Sequence, residues 1–174
     1  MKLVTKPADV PLSPSDLRRA RIHEAGHAVV SEEVGFLVRT VHFDPAAGHG
    51  EVRCDWFPDW VRTDASRARR ARIDVGLAGS LAEALAYRGS QMRWSPKDVA
   101  DVQMLMQREG LDPEEWLAHA NERARDLLPT LDRRWSAVLA IAKALRKGNL
   151  SGDEVRSIIA GAEQSASGKR HGAR

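Results

Sequence analysis

The pattern of apolar and polar residues predicts helices on either side of one short β-rich stretch. The first helix is expected over residues 16–34, with Ser15 as its N-cap. Two strands are expected over residues 36–43 and 51–56, joined by the turn-prone residues 44–50. Because two strands cannot stand alone in water, we expect this hairpin to lie on the helices.

The rest of the chain is predicted to be helical. One helix is expected over residues 64–87 and another over residues 95–110, which opens with Ser-Pro. A third begins near residues 112–113, and a fourth follows Pro129, where apolar residues recur every three or four positions. These positions are Leu131, Trp135, Val138, Ala142 and Leu145. With a last helical segment over residues 151–159, the predicted fold is mainly α with a small β-sheet, in the α+β class.

The length of 174 residues indicates one domain with flanking segments. Residues 1–14 contain three prolines and are expected to form an extended lead-in. Residues 15–164 are expected to form the folded domain. Residues 165–174 are polar and basic, and a disordered tail is predicted there.

Composition excludes several classes of protein. Hydrophobic residues make up 43% of the chain and charged residues 29%, which does not fit a disordered chain. A net charge of +3 is too small to indicate a nucleic-acid partner, and no apolar run is long enough to predict a membrane span. Cys54 is the single cysteine, so no intrachain disulfide is possible, which fits a reducing cytoplasm. No phosphate-binding P-loop motif is present, so no ATPase engine is expected in this chain.

Two histidines and a glutamate have the spacing of a zinc hydrolase motif within residues 22–30, Ile-His-Glu-Ala-Gly-His-Ala-Val-Val. On a helix, His23 and His27 leave one face one turn apart, so both imidazoles can reach one Zn²⁺ at about 2.0–2.1 Å. Glu24 lies about 100° around the helix, where it can take a proton from a metal-activated water. These are the only polar side chains of the segment, so their burial requires a metal or a structural cluster that satisfies each of them.

A catalytic zinc also needs a third protein ligand and an open fourth position. Glu83 is set in an otherwise apolar run that includes Gly76, Gly79 and Ser80, so it is expected to have a designated partner. Asp98 follows the cap residue of its helix by three positions, where an acid can also serve as a helix-capping group. Spacing alone does not choose between these two acids. The other candidates are Asp101, His42 and His49.

The motif resembles the signature of the peptidase domain of FtsH-type ATP-dependent zinc proteases, His-Glu-Ala-Gly-His-Ala followed by an apolar pair. The similarity covers about 145 residues, from Asp16 to Ala160. Besides the motif it is carried by residues 40–45, 50–52, 77–83, 121–128 and 150–155. The resemblance implies a zincin-type helical domain with a short sheet behind the metal helix.

The resemblance also implies roles for individual residues. In that family an aspartate opening the helix after the Ala-Glu segment is the third ligand, and Asp98 occupies the matching position. One Zn²⁺ per chain would then be bound by His23, His27 and Asp98, with Glu24 as general base and Glu83 orienting an imidazole. The chain departs from the family in the Pro-Lys pair before Asp98. It also departs in lacking the ATPase module and the membrane segments.

We therefore expect a zinc-dependent endopeptidase that cleaves flexible or unfolded polypeptides, with a separate ATPase as a possible partner. A free strand edge would hold an extended peptide. That edge consists of Gly48, His49, Gly50, Glu51 and Val52. Two alternatives come from other classes: a non-catalytic binding or adaptor protein with the same fold, and a zinc hydrolase of small amides. The oligomeric state is left open.

Overall fold

The computed structural model describes residues 12–55, 58–87 and 95–171, with side chains as far as residue 164. The described chain is mainly helical with a three-stranded antiparallel sheet, which confirms the α+β class. Its elements are α1 (Pro14–Glu33), β1 (Leu37–Asp44), β2 (His49–Asp55), α2 (Asp59–Thr63), α3 (Ala65–Ala86), α4 (Pro96–Arg108), α5 (Trp116–Arg133), α6 (Trp135–Ala144), β3 (Leu150–Ser151) and α7 (Gly152–His171). The strand order in the sheet is β2-β1-β3. The predictions for residues 1–11 and for Trp56 lie outside the described residues.

The first helix begins two residues earlier than predicted. Its N-cap is Ser13 and not Ser15, and the expected lead-in therefore does not extend to Pro14. The Ser13 hydroxyl accepts from the Asp16 N–H at 3.1 Å, and the Asp16 carboxylate accepts from the Ser13 N–H at 3.1 Å. Pro14 occupies the first helical position, where its fixed φ suits a helix and its missing N–H costs nothing.

Pro129 does not separate two helices, which corrects the prediction. It lies inside α5, and the boundary between α5 and α6 is at Arg134 instead. A proline inside a helix costs about 3 kcal/mol. Leu127 and Leu131 on either side of it are 6% and 0% exposed, so continuing the helix buries two apolar side chains that offset this cost.

Four other elements differ from the prediction. α2 and β3 were not foreseen, because a five-residue helix and a two-residue strand are too short for a periodic pattern. α5 begins at Trp116 rather than near residues 112–113. α7 is helical through His171, although a disordered tail was expected from Ser165, because adding a residue to an existing helix costs little.

Helix α1 lies at the centre of the fold, against α3 on one side, α6 on another and the hairpin of β1 and β2. The largest fully buried side chains come from six elements and the segment before β1, and include Ile22, Phe36, Ile73, Leu77, Met106, Leu131 and Ile141. The contact of α1 with α3 is close because Gly26 faces α3. A Cβ atom at position 26 would lie 2.7 Å from the Ala78 carbonyl oxygen and 2.7 Å from the Ala82 Cβ.

Gly26→Ala is therefore expected to destabilise the protein by about 1–3 kcal/mol, because two helix backbones would have to move apart. The matched control is Gly161→Ala in α7, where an added Cβ meets nothing within 4 Å. That change should be neutral or stabilise by up to about 1 kcal/mol through helix propensity. Urea denaturation measures both, and equal stability of the two variants would contradict the close approach of α1 and α3.

A membrane-crossing helix needs about 20 predominantly apolar residues. Within the part of the chain that the structure describes, no helix is long and apolar enough to meet this requirement.

Candidate metal centre

Two imidazoles and one carboxylate meet between α1, α3 and the start of α4. His23 Nε2 and His27 Nε2 are 3.0 Å apart. The Oδ2 atom of Asp98 lies 2.9 Å from His23 Nε2 and 3.4 Å from His27 Nε2. All three side chains are at most 15% exposed. These residues form a group that could hold a metal ion.

The spacing of the three atoms fits a tetrahedral cation. Ligand atoms about 2.0–2.1 Å from a zinc ion in tetrahedral geometry are about 3.3 Å from one another. The three observed distances, 2.9, 3.0 and 3.4 Å, lie close to this value. A small shift of the side chains would suffice to place a metal ion among them.

The outer nitrogens of both imidazoles are already bound to acceptors. His27 Nδ1 lies 2.6 Å from the carbonyl oxygen of Val75, and His23 Nδ1 lies 2.8 Å from Glu83 Oε1. Because a carbonyl only accepts, His27 Nδ1 must carry the proton, and the same tautomer lets His23 donate to Glu83. Both Nε2 lone pairs then face each other and the Asp98 carboxylate. Three acceptors at this distance require a cation or a proton among them.

The charges of the cluster agree with this requirement. Burial opposes the charged form of His23, but the carboxylates of Asp98 and Glu83 outweigh it and raise its pKa to about 9. Burial likewise opposes the ionised form of Asp98, but hydrogen bonds from the two imidazoles hold its pKa well below its usual range. At neutral pH the metal-free cluster therefore carries a proton on His23.

Metal binding at pH 7 should consequently release about one proton, since only the neutral imidazole is a ligand. Because the pKa of His23 is about 9, the apparent zinc affinity should rise about tenfold per pH unit between pH 6 and 8, and level off above pH 9. Calorimetric titration in two buffers with different ionisation enthalpies measures the released proton. An affinity that does not change with pH would contradict the protonated state of His23.

Glu83 lies on the outer side of His23 rather than among the inner atoms. Besides accepting from His23, its carboxylate accepts from Arg19 Nε. The Arg19 guanidinium in turn lies over the ring of Tyr87, 5.2 Å from its centroid. Glu83 is therefore fixed between a cation and an imidazole, which is the arrangement that orients a metal-binding histidine.

Gly79 of α3 leaves the space that the two imidazoles occupy. A Cβ atom there would lie 2.5 Å from His27 Nε2 and 2.6 Å from His23 Nε2. The rings cannot turn away without losing their bonds to Val75 and Glu83. A side chain at position 79 would therefore disturb the three-atom group directly.

Gly79→Ala should lower the zinc affinity at least about tenfold, because the displaced rings no longer meet at the ligand spacing. Gly161→Ala in α7 is the matched control, since its added Cβ meets nothing within 4 Å. Titration with zinc against a competing chelator measures both affinities. Similar affinities for the two variants would show that the imidazoles do not need the room that Gly79 leaves.

Glu24 lies beside the cluster and contacts the sheet. It is 6% exposed, and its Oε1 accepts a hydrogen bond of 3.2 Å from the Gly50 N–H in β2. Burial raises the pKa of Glu24, with help from the charge of Asp98, and the two histidines and the Gly50 N–H only partly oppose it. Burial therefore makes this carboxylate a stronger base than an exposed glutamate.

Strand β2 forms an edge of the described sheet, as expected for residues 49–52, while Gly48 lies in the preceding turn with φ of +69°. His42 on β1 and His49 on β2 are exposed, and Asp101 is exposed on α4. The metal-binding group found among the described residues does not include them. The Val75 carbonyl and Arg19 were missed because no sequence pattern marks them. For Gly79 the stripe of small residues was the available signal.

No family model matches this chain, and a search of the curated proteins gives no match. The resemblance to FtsH-type peptidases therefore rests on the motifs of the sequence. What the structure supports directly is a buried group of two histidines and an aspartate that could hold a metal ion.

Proposed function

We propose that this chain is a zinc-dependent endopeptidase similar to the peptidase domain of FtsH-type proteases. The observation that supports the proposal most is the convergence of His23 Nε2, His27 Nε2 and Asp98 Oδ2 at 2.9–3.4 Å, with the buried carboxylate of Glu24 alongside. The outer nitrogens of both imidazoles have acceptors of their own, the Val75 carbonyl and the Glu83 carboxylate. Both inner nitrogens face Asp98, so the three inner atoms are placed to bind an ion once His23 has lost its proton.

Zinc is the metal that this donor set suits best. Two imidazoles and a carboxylate leave a fourth tetrahedral position open, as in hydrolytic zinc sites. When bound, the ion would activate a water and polarise a peptide carbonyl. The same donors also bind non-haem iron(II), but a buried carboxylate positioned as a base favours hydrolysis.

The residues of the chain would have separate roles in this hydrolysis. His23, His27 and Asp98 would hold the ion, and Glu83 would fix the ring of His23. Glu24 would accept a proton from the attacking water and deliver it to the leaving amine. Because burial raises its pKa, Glu24 would hold this proton more readily than an exposed glutamate.

The substrate we propose is an extended polypeptide paired with the edge of β2. The Gly50 N–H of this strand donates a hydrogen bond to Glu24, so a peptide added to the edge would pass close to the base. Only a flexible or unfolded segment can adopt the extended form. Folded substrates would depend on a separate ATPase, and a single cysteine agrees with action in the cytoplasm.

The test is metal-dependent cleavage of an unstructured peptide by the purified chain. We expect about one zinc per chain, internal cleavage of a casein-type substrate, loss of activity with a chelator and recovery with zinc. Bound zinc without cleavage would favour an adaptor, whereas cleavage confined to small amides would favour the other hydrolase. Iron in place of zinc would contradict the proposed chemistry.

A further inference from the structure

A cavity lies on the opposite side of α1 from the metal-binding group. Its volume is about 560 Å³, and it opens between the first turns of α1 and the end of α6. Around α1, Arg21 is about 160° from His23 at 100° per residue. The helix that carries both histidines therefore separates the metal-binding group from this cavity.

The rim of this cavity is strongly cationic. Arg18 and Arg21 border it from α1, and Lys143 and Arg146 border it from the end of α6. No aspartate or glutamate of the described residues lines it. Several arginines elsewhere in the described chain are paired with acids, as Arg123 is with Asp74. None of the four rim cations forms an ion pair with a described acid.

Two of the rim cations repel each other. Burial lowers the pKa of Arg21, and the charge of Arg146 lowers it further. Arg21 has a cation–π contact with Phe43, 5.6 Å from the ring centroid, but this ring supplies no negative charge. An anion bound between Arg21 and Arg146 would relieve their repulsion.

The walls of the cavity are apolar. Ile22 is buried at 1% exposure, and Ala142 is buried at 8%. Leu139 is 40% exposed, one of the few large apolar side chains on the surface of the described chain. Leu17 completes this apolar lining. Cations around an apolar surface match a ligand that has a negative group and a hydrocarbon part.

We propose that this cavity binds a free amphiphilic organic anion, with a phosphate or carboxylate group between the rim cations and an alkyl or aryl part on Leu139 and Leu17. The volume falls within the range of about 300–1,000 Å³ that small-molecule sites occupy. Arginine binds either group through two parallel hydrogen bonds, and Arg18, Arg21 and Arg146 offer three such forks. A protein segment would extend well beyond a cavity of this size.

Calorimetric titration with octyl phosphate, kept below its micelle concentration, tests the proposal. We expect one site per chain and binding at least about tenfold tighter than that of inorganic phosphate or octanol. Inorganic phosphate lacks the alkyl chain, and octanol lacks the negative group. Octyltrimethylammonium should not bind. Equal binding of inorganic phosphate, equal binding of octanol, or tighter binding of a glutamate-rich peptide would each overturn the proposal.

Substitutions of the rim cations test whether octyl phosphate binds in this cavity. Arg21→Gln with Arg146→Gln should weaken octyl phosphate binding at least about tenfold, since both substitutions remove a charged hydrogen-bond donor. The matched control is Arg108→Gln with Arg125→Gln, two exposed positions outside the cavity, which should change affinity less than about twofold. If circular dichroism shows that Arg21→Gln disturbs the fold, the exposed pair Arg18→Gln and Lys143→Gln serves the same test. Unchanged affinity in the folded cavity variant would overturn the assignment.

Discussion

Glu24→Gln is expected to abolish peptide hydrolysis while zinc remains bound. A general base contributes about 10²–10⁴-fold to the rate, so we expect a loss of about a thousandfold in kcat. The amide oxygen of glutamine can still accept from the Gly50 N–H, which keeps α1 and β2 in contact. The fold and the metal site should therefore survive the change, and only the proton transfer should fail.

The matched control for this variant is Glu122→Gln, the same substitution at an exposed position of α5. Glu122 belongs neither to β2 nor to the metal-binding group. Zinc content and cleavage of an unstructured peptide are measured for both proteins. If Glu24→Gln kept activity comparable to that of Glu122→Gln, the base would have to be another group.

Asp98→Ala is expected to lower the zinc affinity more than any substitution outside the group of His23, His27 and Asp98. It removes one of the three atoms that meet at 2.9–3.4 Å, whereas Glu83→Ala removes only an outer partner of His23. Loss of an outer partner lowers metal affinity about 10–100-fold. We therefore expect Glu83→Ala to fall in that range and Asp98→Ala to exceed about 100-fold.

The control for Asp98→Ala is Asp101→Ala, an exposed acid nearly one turn later on α4. The Ser95 cap of this helix is bound to the backbone N–H of residue 98, so it is preserved in both variants. Competition with a chelator measures the affinities. If Glu83→Ala proved more damaging than Asp98→Ala, the two acids would have to exchange their proposed roles.

The sequence predicted accurately where the helices with a clear N-cap residue begin. α3 begins after its cap Asp64, and α4 begins after Ser95, both within one residue of expectation. Pro129 was misread because a proline usually ends a helix, whereas burial of Leu127 and Leu131 here keeps α5 continuous. Tertiary burial outweighed local preference at that position.

The sequence by itself determined the part of the site that lies on one helix. The separation of His23 from His27 and the placement of Glu24 follow from 3.6 residues per turn, so they need no knowledge of the rest of the chain. The α+β class was likewise readable from local patterns.

Only the tertiary structure decided which acid completes the group. Asp98 and Glu83 are 75 and 60 residues from His23, and both contact its ring, one at each nitrogen. Which nitrogen each acid reaches depends on how closely α3 approaches α1 at Gly26 and Gly79, and on where α4 begins against them. The cationic cavity also joins residues more than 100 positions apart. Such contacts are set by packing between elements, and a local pattern does not encode the distance between two helices.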